Sequence, residues 1–154
     1  MAVLVIVAKV FLPGRLILNR TASVPRGLYW LTRGAPAERG QIVAFPIPEA
    51  LRELFRERRL VPTSFFGLLA KPVAALPGDH VCIRDAAVLI NQRRVATVRS
   101  VDSQERPLPR LELCRRLEPG EIFVITTSDS FDSRYMGPIP TASVLGTLSL
   151  LLEF

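Results

Sequence analysis

From Gly27 to the end, the chain is a succession of short apolar runs closed by turn residues: GLYWLT, QIVAFPI, LLAKPVAAL, HVCIR, AVLINQRRVATV, EIFVITT and SVLGTLSLLLEF. Valine, isoleucine, threonine and aromatic residues fill these runs, and glycine, proline, asparagine and aspartate separate them. A chain punctuated this often has room for strands and little room for helices. The pattern predicts a mainly β, antiparallel fold. VLINQRRVA, with its reversal near Asn91-Gln92, is the clearest hairpin. In LPGD, Leu76 to Asp79, proline stands second and glycine third, the requirement of a type II turn whose third residue needs positive φ. One segment, PEALRELFRERRL, has helical spacing: Leu51, Leu54 and Phe55 share a face, and Glu53 precedes Arg56 on the other. The polar, proline-bearing stretch between Ser100 and Pro119 is predicted to be a long loop.

The 154 residues fit a single domain. Its first part, MAVLVIVAKVFLPGRLIL, is apolar apart from Lys9 and Arg15 and is interrupted by Pro13-Gly14. It is shorter than the roughly 20 apolar residues of a spanning helix and lacks the charged start and cleavage site of a secretory signal. The expected division is therefore a membrane-associated segment over residues 1–18 and a folded domain over 19–154. A 49% apolar composition and a mean hydropathy of +0.29 agree with some surface facing a bilayer. The net charge of +6 does not by itself point to nucleic acid, because no basic block is interleaved with aromatics; anionic lipid serves such a charge equally well. No nucleic-acid partner is expected. The single histidine, His80, and two cysteines, Cys82 and Cys114, have no metal-ligand spacing, so no metal or organic cofactor is expected. The two cysteines are compatible with one disulfide or with two thiols.

Three short stretches carry chemistry. In NRTASVPRGLY, Thr21 and Ser23 would face one side of an extended segment before Pro25 and Gly27 turn the chain away. Ser23 is placed to act as a nucleophile, with its own N–H and the Thr21 hydroxyl as donors to an oxyanion. In LLAKPVAALPGD, Lys71 lies in an apolar strand. Among 20 basic residues only Lys9 and Lys71 are lysines, and lysine, unlike arginine, can lose its proton inside a protein. Burial would lower its pKa and let it accept the Ser23 proton. In SDSFDSRYMGPIP, Ser130, Asp132 and Arg134 alternate, so an extended backbone would place all three on one face. Ser130 would then orient the lysine amine, while Asp132 and Arg134 brace each other or the turn at Asp79. His80 is the alternative base, but a serine–lysine pair accounts for more of the surrounding sequence.

Serine before P-x-G-x-Y, lysine before P-G-D, and S-x-D-S-R-Y-x-G-P, in that order, resemble the successive boxes of the signal peptidase I family. NRTASVPRGLY, VAALPGD, RPLPR and SFDSRYMGPIP are similar to its conjugative-transfer, TraF-type branch. The resemblance spans Leu16 to Gly146. It implies a signal-peptidase-like β fold with one short helix and an N-terminal anchor. It also implies a serine endopeptidase in which Ser23 is the nucleophile, Lys71 the base, Thr21 the oxyanion donor and Ser130 the support of the lysine, with Asp132 and Arg134 as the acid and base of the last box. The partners it implies are a pilin or other secreted precursor, the membrane and the conjugative secretion machinery. The implied location is the bacterial inner membrane, with the catalytic domain facing the periplasm. Some members join the new termini into a circular pilin. A general signal peptidase acting on many secreted proteins is the competing reading. Pro72 departs from the family pattern, which has arginine after the lysine, and the anchor is short.

Overall fold

The computed structural model describes residues 16–36, 38–60, 67–126 and 129–154. Eleven strands are present among them: β1 (Leu16–Asn19), β2 (Gly27–Arg33), β3 (Ile42–Pro46), β4 (Leu68–Ala75), β5 (His80–Arg84), β6 (Ala87–Ile90), β7 (Arg93–Thr97), β8 (Leu113–Arg116), β9 (Glu121–Val124), β10 (Ile139–Pro140) and β11 (Gly146–Glu153). Two short α-helices, α1 (Arg52–Glu57) and α2 (Ser133–Met136), interrupt them. The strands form a seven-stranded sheet in the order β1-β2-β11-β3-β4-β9-β10 and a four-stranded sheet in the order β7-β6-β5-β8. Every pairing between named strands is antiparallel.

β4 sits between β3 and β9, and this central position decides the environment of Lys71. Leu68, Leu69, Ala70 and Lys71 are all buried. Alternation sends Leu68 and Ala70 into a cluster with Ile17, Val24, Tyr29, Leu31, Ala44 and Leu148. Leu69 and Val73 go to the opposite face, with Val43, Phe45, Phe55, Ile122, Val124 and Ile139. Lys71 shares the second face. Pro72 is tolerated in this central strand because of the direction its backbone faces. Val73 N–H donates to Gln41 O and its carbonyl accepts from Gly40, so the groups of Pro72 point the other way, where Ile125 N–H donates to Pro72 O and β9 has just ended. A third cluster, Ala75, Val81, Val88, Ile90, Leu117 and Phe123, joins the two sheets.

Turn chemistry follows the sequence. Asp79 N–H donates to Leu76 O at 3.0 Å with Gly78 at φ 88°, and Asn91 and Gln92, both at positive φ, close the β6–β7 hairpin as the primed turn that suits strand twist. At Gly27 a side chain is excluded, since a Cβ there would stand 2.2 Å from Leu152 O across the β2–β11 pair.

The short helix lies within PEALRELFRERRL, where a 3-10 turn at Glu49–Leu51 leads into α1, which buries Phe55. Three expectations are corrected. The stretch from 100 to 119 contains β8, whose partner is β5. Residues 20–26 are a turn rather than an extended segment. Asp132 is the N-cap of α2 and Arg134 lies within that helix, so they are not part of an alternating strand. Cys82 and Cys114, opposite each other in β5 and β8, form a disulfide. Of the apolar segment assigned to 1–18, residues 1–15 lie outside the described set and Leu16–Leu18 belong to β1, paired with β2. Among the described residues no helix is long and apolar enough to cross a membrane.

Candidate active site

Asn19 ends β1 fully buried and organises the turn that follows. Its Nδ2 donates to the carbonyls of Thr21 (3.0 Å), Val24 (3.0 Å) and Pro25 (2.9 Å), and its Oδ1 accepts from Thr21 N (2.9 Å) and Thr21 Oγ1 (2.8 Å). One amide side chain thus does for this loop what a strand ladder does elsewhere. The turn leaves Thr21 Oγ1 and Ser23 Oγ 3.1 Å apart, the proximity expected of an extended segment but reached another way. Since the Thr21 proton is directed to Asn19, the Ser23 hydroxyl is the donor to Thr21; its other acceptor, Ala70 O, lies at 3.5 Å. Tyr29 OH donates to Pro25 O at 2.7 Å and anchors the far end of the turn to β2.

Lys71, 4% exposed, reaches from β4 to Ser130 and donates its Nζ to Ser130 Oγ. Burial pulls its pKa from 10.5 down to about 8; the Asp132 carboxylate opposes the fall and the Arg134 guanidinium adds to it. The hydrogen bonds of the resting site give Nζ to Ser130 and the Ser23 proton to Thr21, with Ala70 O its alternative acceptor. A direct Ser23–Lys71 hydrogen bond is not among them. All four side chains nevertheless line one cleft of about 260 Å³, together with Ala22, Phe55, Leu60, Leu69, Asp129 and Phe131.

Behind this cleft Asp132 and Arg134 form a buried ion pair. Arg134 Nε donates to Oδ1 and Nη2 to Oδ2, each at 2.9 Å, and the Arg134 backbone N–H caps on Oδ1 at 3.1 Å. The guanidinium also donates to Thr97 O and Ser130 O, both at 3.1 Å, so it holds the backbone of the residue that meets Lys71. The pair braces itself and leaves the turn at Asp79 to Arg39, whose Nε lies 3.2 Å from Asp79 Oδ2. Asp132 Oδ2 accepts a further bond from Thr126 N at 2.9 Å, and Thr126 Oγ1 donates to Ser23 O.

The sequence therefore brings Thr21, Ser23, Lys71 and Ser130 to one cleft and places Asp132 and Arg134 directly behind it. His80 stands apart, at the start of β5 in the smaller sheet, where its N–H donates to Asn91 Oδ1. Among the described residues no group of three or more His, Cys, Asp or Glu side chains is arranged to hold a metal ion. Sequence reasoning passed over the role of Asn19. The available signal was an asparagine two residues before Thr21 at a strand end, the setting of an Asx turn.

An antiparallel β domain with a serine hydroxyl and a buried lysine of lowered pKa in one cleft has the outline of a serine peptidase. The chain belongs to the signal peptidase, peptidase S26 family, which matches residues 1–152. It is similar to the Plasmid transfer protein TraF of Escherichia coli, 31% identical over 163 residues, covering 99% of this chain and 91% of that protein. It is also similar to the Conjugal transfer protein TraF of Agrobacterium fabrum, 33% identical over 146 residues, covering 89% of this chain and 82% of that protein. A solved signal peptidase I from Enterococcus faecalis superposes with a TM-score of 0.45 at 25% identity, covering 77% of this chain and all of that one.

Proposed function

We propose that this chain is a membrane-associated serine endopeptidase of conjugative transfer that processes a pilin precursor through a Ser23/Lys71 dyad. The observation that carries this reading is the burial of Lys71, with its pKa near 8, in the cleft that also holds Ser23. An ordinary lysine supplies almost no free base at neutral pH, and this one supplies a useful fraction.

In the proposed reaction, substrate seats in the cleft and brings the Ser23 hydroxyl and the Lys71 amine together, a contact that tightens only in the loaded site. Neutral Lys71 takes the Ser23 proton as Oγ bonds to the scissile carbonyl carbon. The resulting oxyanion is met by the Ser23 N–H and by the Thr21 hydroxyl, which turns from Asn19 toward the new charge. As the C–N bond breaks, Lys71 returns its proton to the departing amine and an acyl-Ser23 ester remains. Water, deprotonated by Lys71, then releases a linear product. If the substrate's own amino terminus attacks instead, the product is cyclic. Ser130 holds the amine in place throughout.

The surface beside Ser23 suits a membrane-borne substrate. Leu151 and Leu152 of the C-terminal strand and Phe154 just beyond it are 56%, 61% and 66% exposed, and Phe154 N–H donates to Arg26 O in the nucleophile's turn. Such a patch next to the cleft would sit against the bilayer. The similarity to TraF proteins of plasmid and conjugal transfer supports a place in the conjugation machinery; the proposed substrate is a pilin precursor and the proposed location the inner membrane, facing the periplasm. The apolar segment ahead of β1 would supply the anchor and the chain from β1 onward the catalytic domain.

Mass spectrometry of a pilin precursor encoded with the enzyme, co-expressed in membranes with wild type or with Ser23→Ala, tests the reading. The expected result is a product that depends on Ser23; a mass one water below that of the linear chain identifies the cyclic form. Equal processing by Ser23→Ala rejects it, as does processing confined to a general secretory precursor.

A further inference from the structure

We propose that Thr126 is a positioning residue for the nucleophile, tying Ser23 to the buried Asp132–Arg134 pair. The inference rests on the reading of Ser23 as nucleophile and Lys71 as base. Two arms leave that ion pair. One runs from the Arg134 guanidinium to Ser130 O, and through Ser130 Oγ to the Lys71 amine. The other runs from Asp132 Oδ2 to Thr126 N–H, and through Thr126 Oγ1 to the carbonyl of Ser23 itself. A single rigid centre, with Asp132 fully buried and Arg134 2% exposed, thereby references both reacting groups.

The second arm matters because of where Ser23 sits. It lies in an irregular turn rather than in a ladder, and Asn19 ties that turn to itself. The Ser23 hydroxyl meets β4 only across 3.5 Å to Ala70 O, a weak contact. The Thr126 hydroxyl instead grips the backbone of the nucleophilic residue from two positions beyond β9. Holding that carbonyl restrains the Ser23 Cα and so the arc its Oγ sweeps. Misplacement of a reacting atom by about 1 Å is enough to lower a rate about 100-fold. The Ser23 carbonyl needs a hydroxyl at this place, and the neighbouring Asp132 fixes the backbone from which it is offered.

The experiment compares wild type, Thr126→Val, Thr126→Ser and Ser23→Ala on a fluorogenic peptide copied from the bond mapped in the precursor, with kcat, KM, pH profile and Tm recorded for each. Valine keeps the shape and removes the hydroxyl. The expected result is a kcat lower by about 10- to 100-fold with KM within about twofold. The rising, acid-side limb set by Lys71 stays in place, because the arm to Lys71 is intact, and Thr126→Ser restores at least half of the activity. Thr126→Val within twofold of wild type overturns the proposal. So does a Thr126→Ser as impaired as valine, and so does a Thr126→Val that loses the native circular dichroism, which would make the hydroxyl structural. Activity in Ser23→Ala would instead bring down the underlying reading of the dyad.

Discussion

If Lys71 is the base, the pH dependence of cleavage and that of stability must both report its position in the fold. With a pKa of about 8, about one enzyme molecule in ten carries the free amine at pH 7, against fewer than one in a thousand for an exposed lysine. The value of kcat/KM should therefore rise about tenfold per pH unit below pH 8 and level off above it. The sign for stability follows from the same displacement. Folding lowers the pKa from 10.5, so between about pH 8 and 10.5 the unfolded chain holds the extra proton and stability rises with pH by about 1.4 kcal/mol per unit. Below pH 8 both states are protonated, and the buried ammonium opposes folding by about 3 kcal/mol. Lys71→Met removes that charge without removing the volume. It forfeits the bond to Ser130, a loss of about 1 kcal/mol. The variant should therefore melt about 4–8 °C above wild type at pH 7, with the advantage gone by pH 10.5, while its cleavage is abolished. Calorimetry and initial rates over pH 6 to 10.5 measure both. A flat rate profile, or a limb that disappears in His80→Ala, would refute the reasoning. A Lys71→Met advantage over wild type that is no larger at pH 7 than at pH 10.5 would refute the stated burial penalty.

Three further outcomes are expected. Asn19→Ala leaves the carbonyls of Thr21 and Val24 without their donor and that of Pro25 with Tyr29 OH alone, and should lower stability by about 2–3 kcal/mol, read as Tm, while kcat falls because Thr21 and Ser23 lose their frame. Asp132→Ala strands the buried Arg134 charge, and denaturant unfolding should show a loss of about 3–5 kcal/mol together with loss of cleavage. Replacing Cys82 and Cys114 by serine opens a link across 32 positions and should reduce stability by about 3–4 kcal/mol. Because the pair lies in the smaller sheet and lines no part of the cleft, kcat at 20 °C should stay within about twofold of wild type.

The strands were legible because turn residues punctuate them, and Lys71 stood out because a rare lysine sits in a wholly apolar run. The site was legible as a set of residues, but not as a set of backbone shapes. Thr21 and Ser23 meet because Asn19 folds the loop around its amide, and a side chain that bonds to backbone leaves no periodicity to read. Asp132 and Arg134 meet because a four-residue helix starts on Asp132; one turn is too short to overwrite the alternating pattern that suggests a strand. β8 escaped notice for a related reason. LCRR alternates over only four residues, and its register with β5 is set by the partner strand and by the Cys82–Cys114 link rather than by its own composition. The Ser23–Thr126 contact joins residues 103 positions apart and was beyond any local signal.

The central claim is that a neutral lysine, rather than a fixed positive charge, activates Ser23. It is tested most directly by the cleavage rate of Lys71→Arg on the mapped precursor bond at pH 8, with Tm recorded alongside. Arginine keeps the charge and cannot accept the proton. The account predicts a folded protein whose rate is at least about 1,000-fold below wild type; a folded Lys71→Arg enzyme with near-normal cleavage would contradict it.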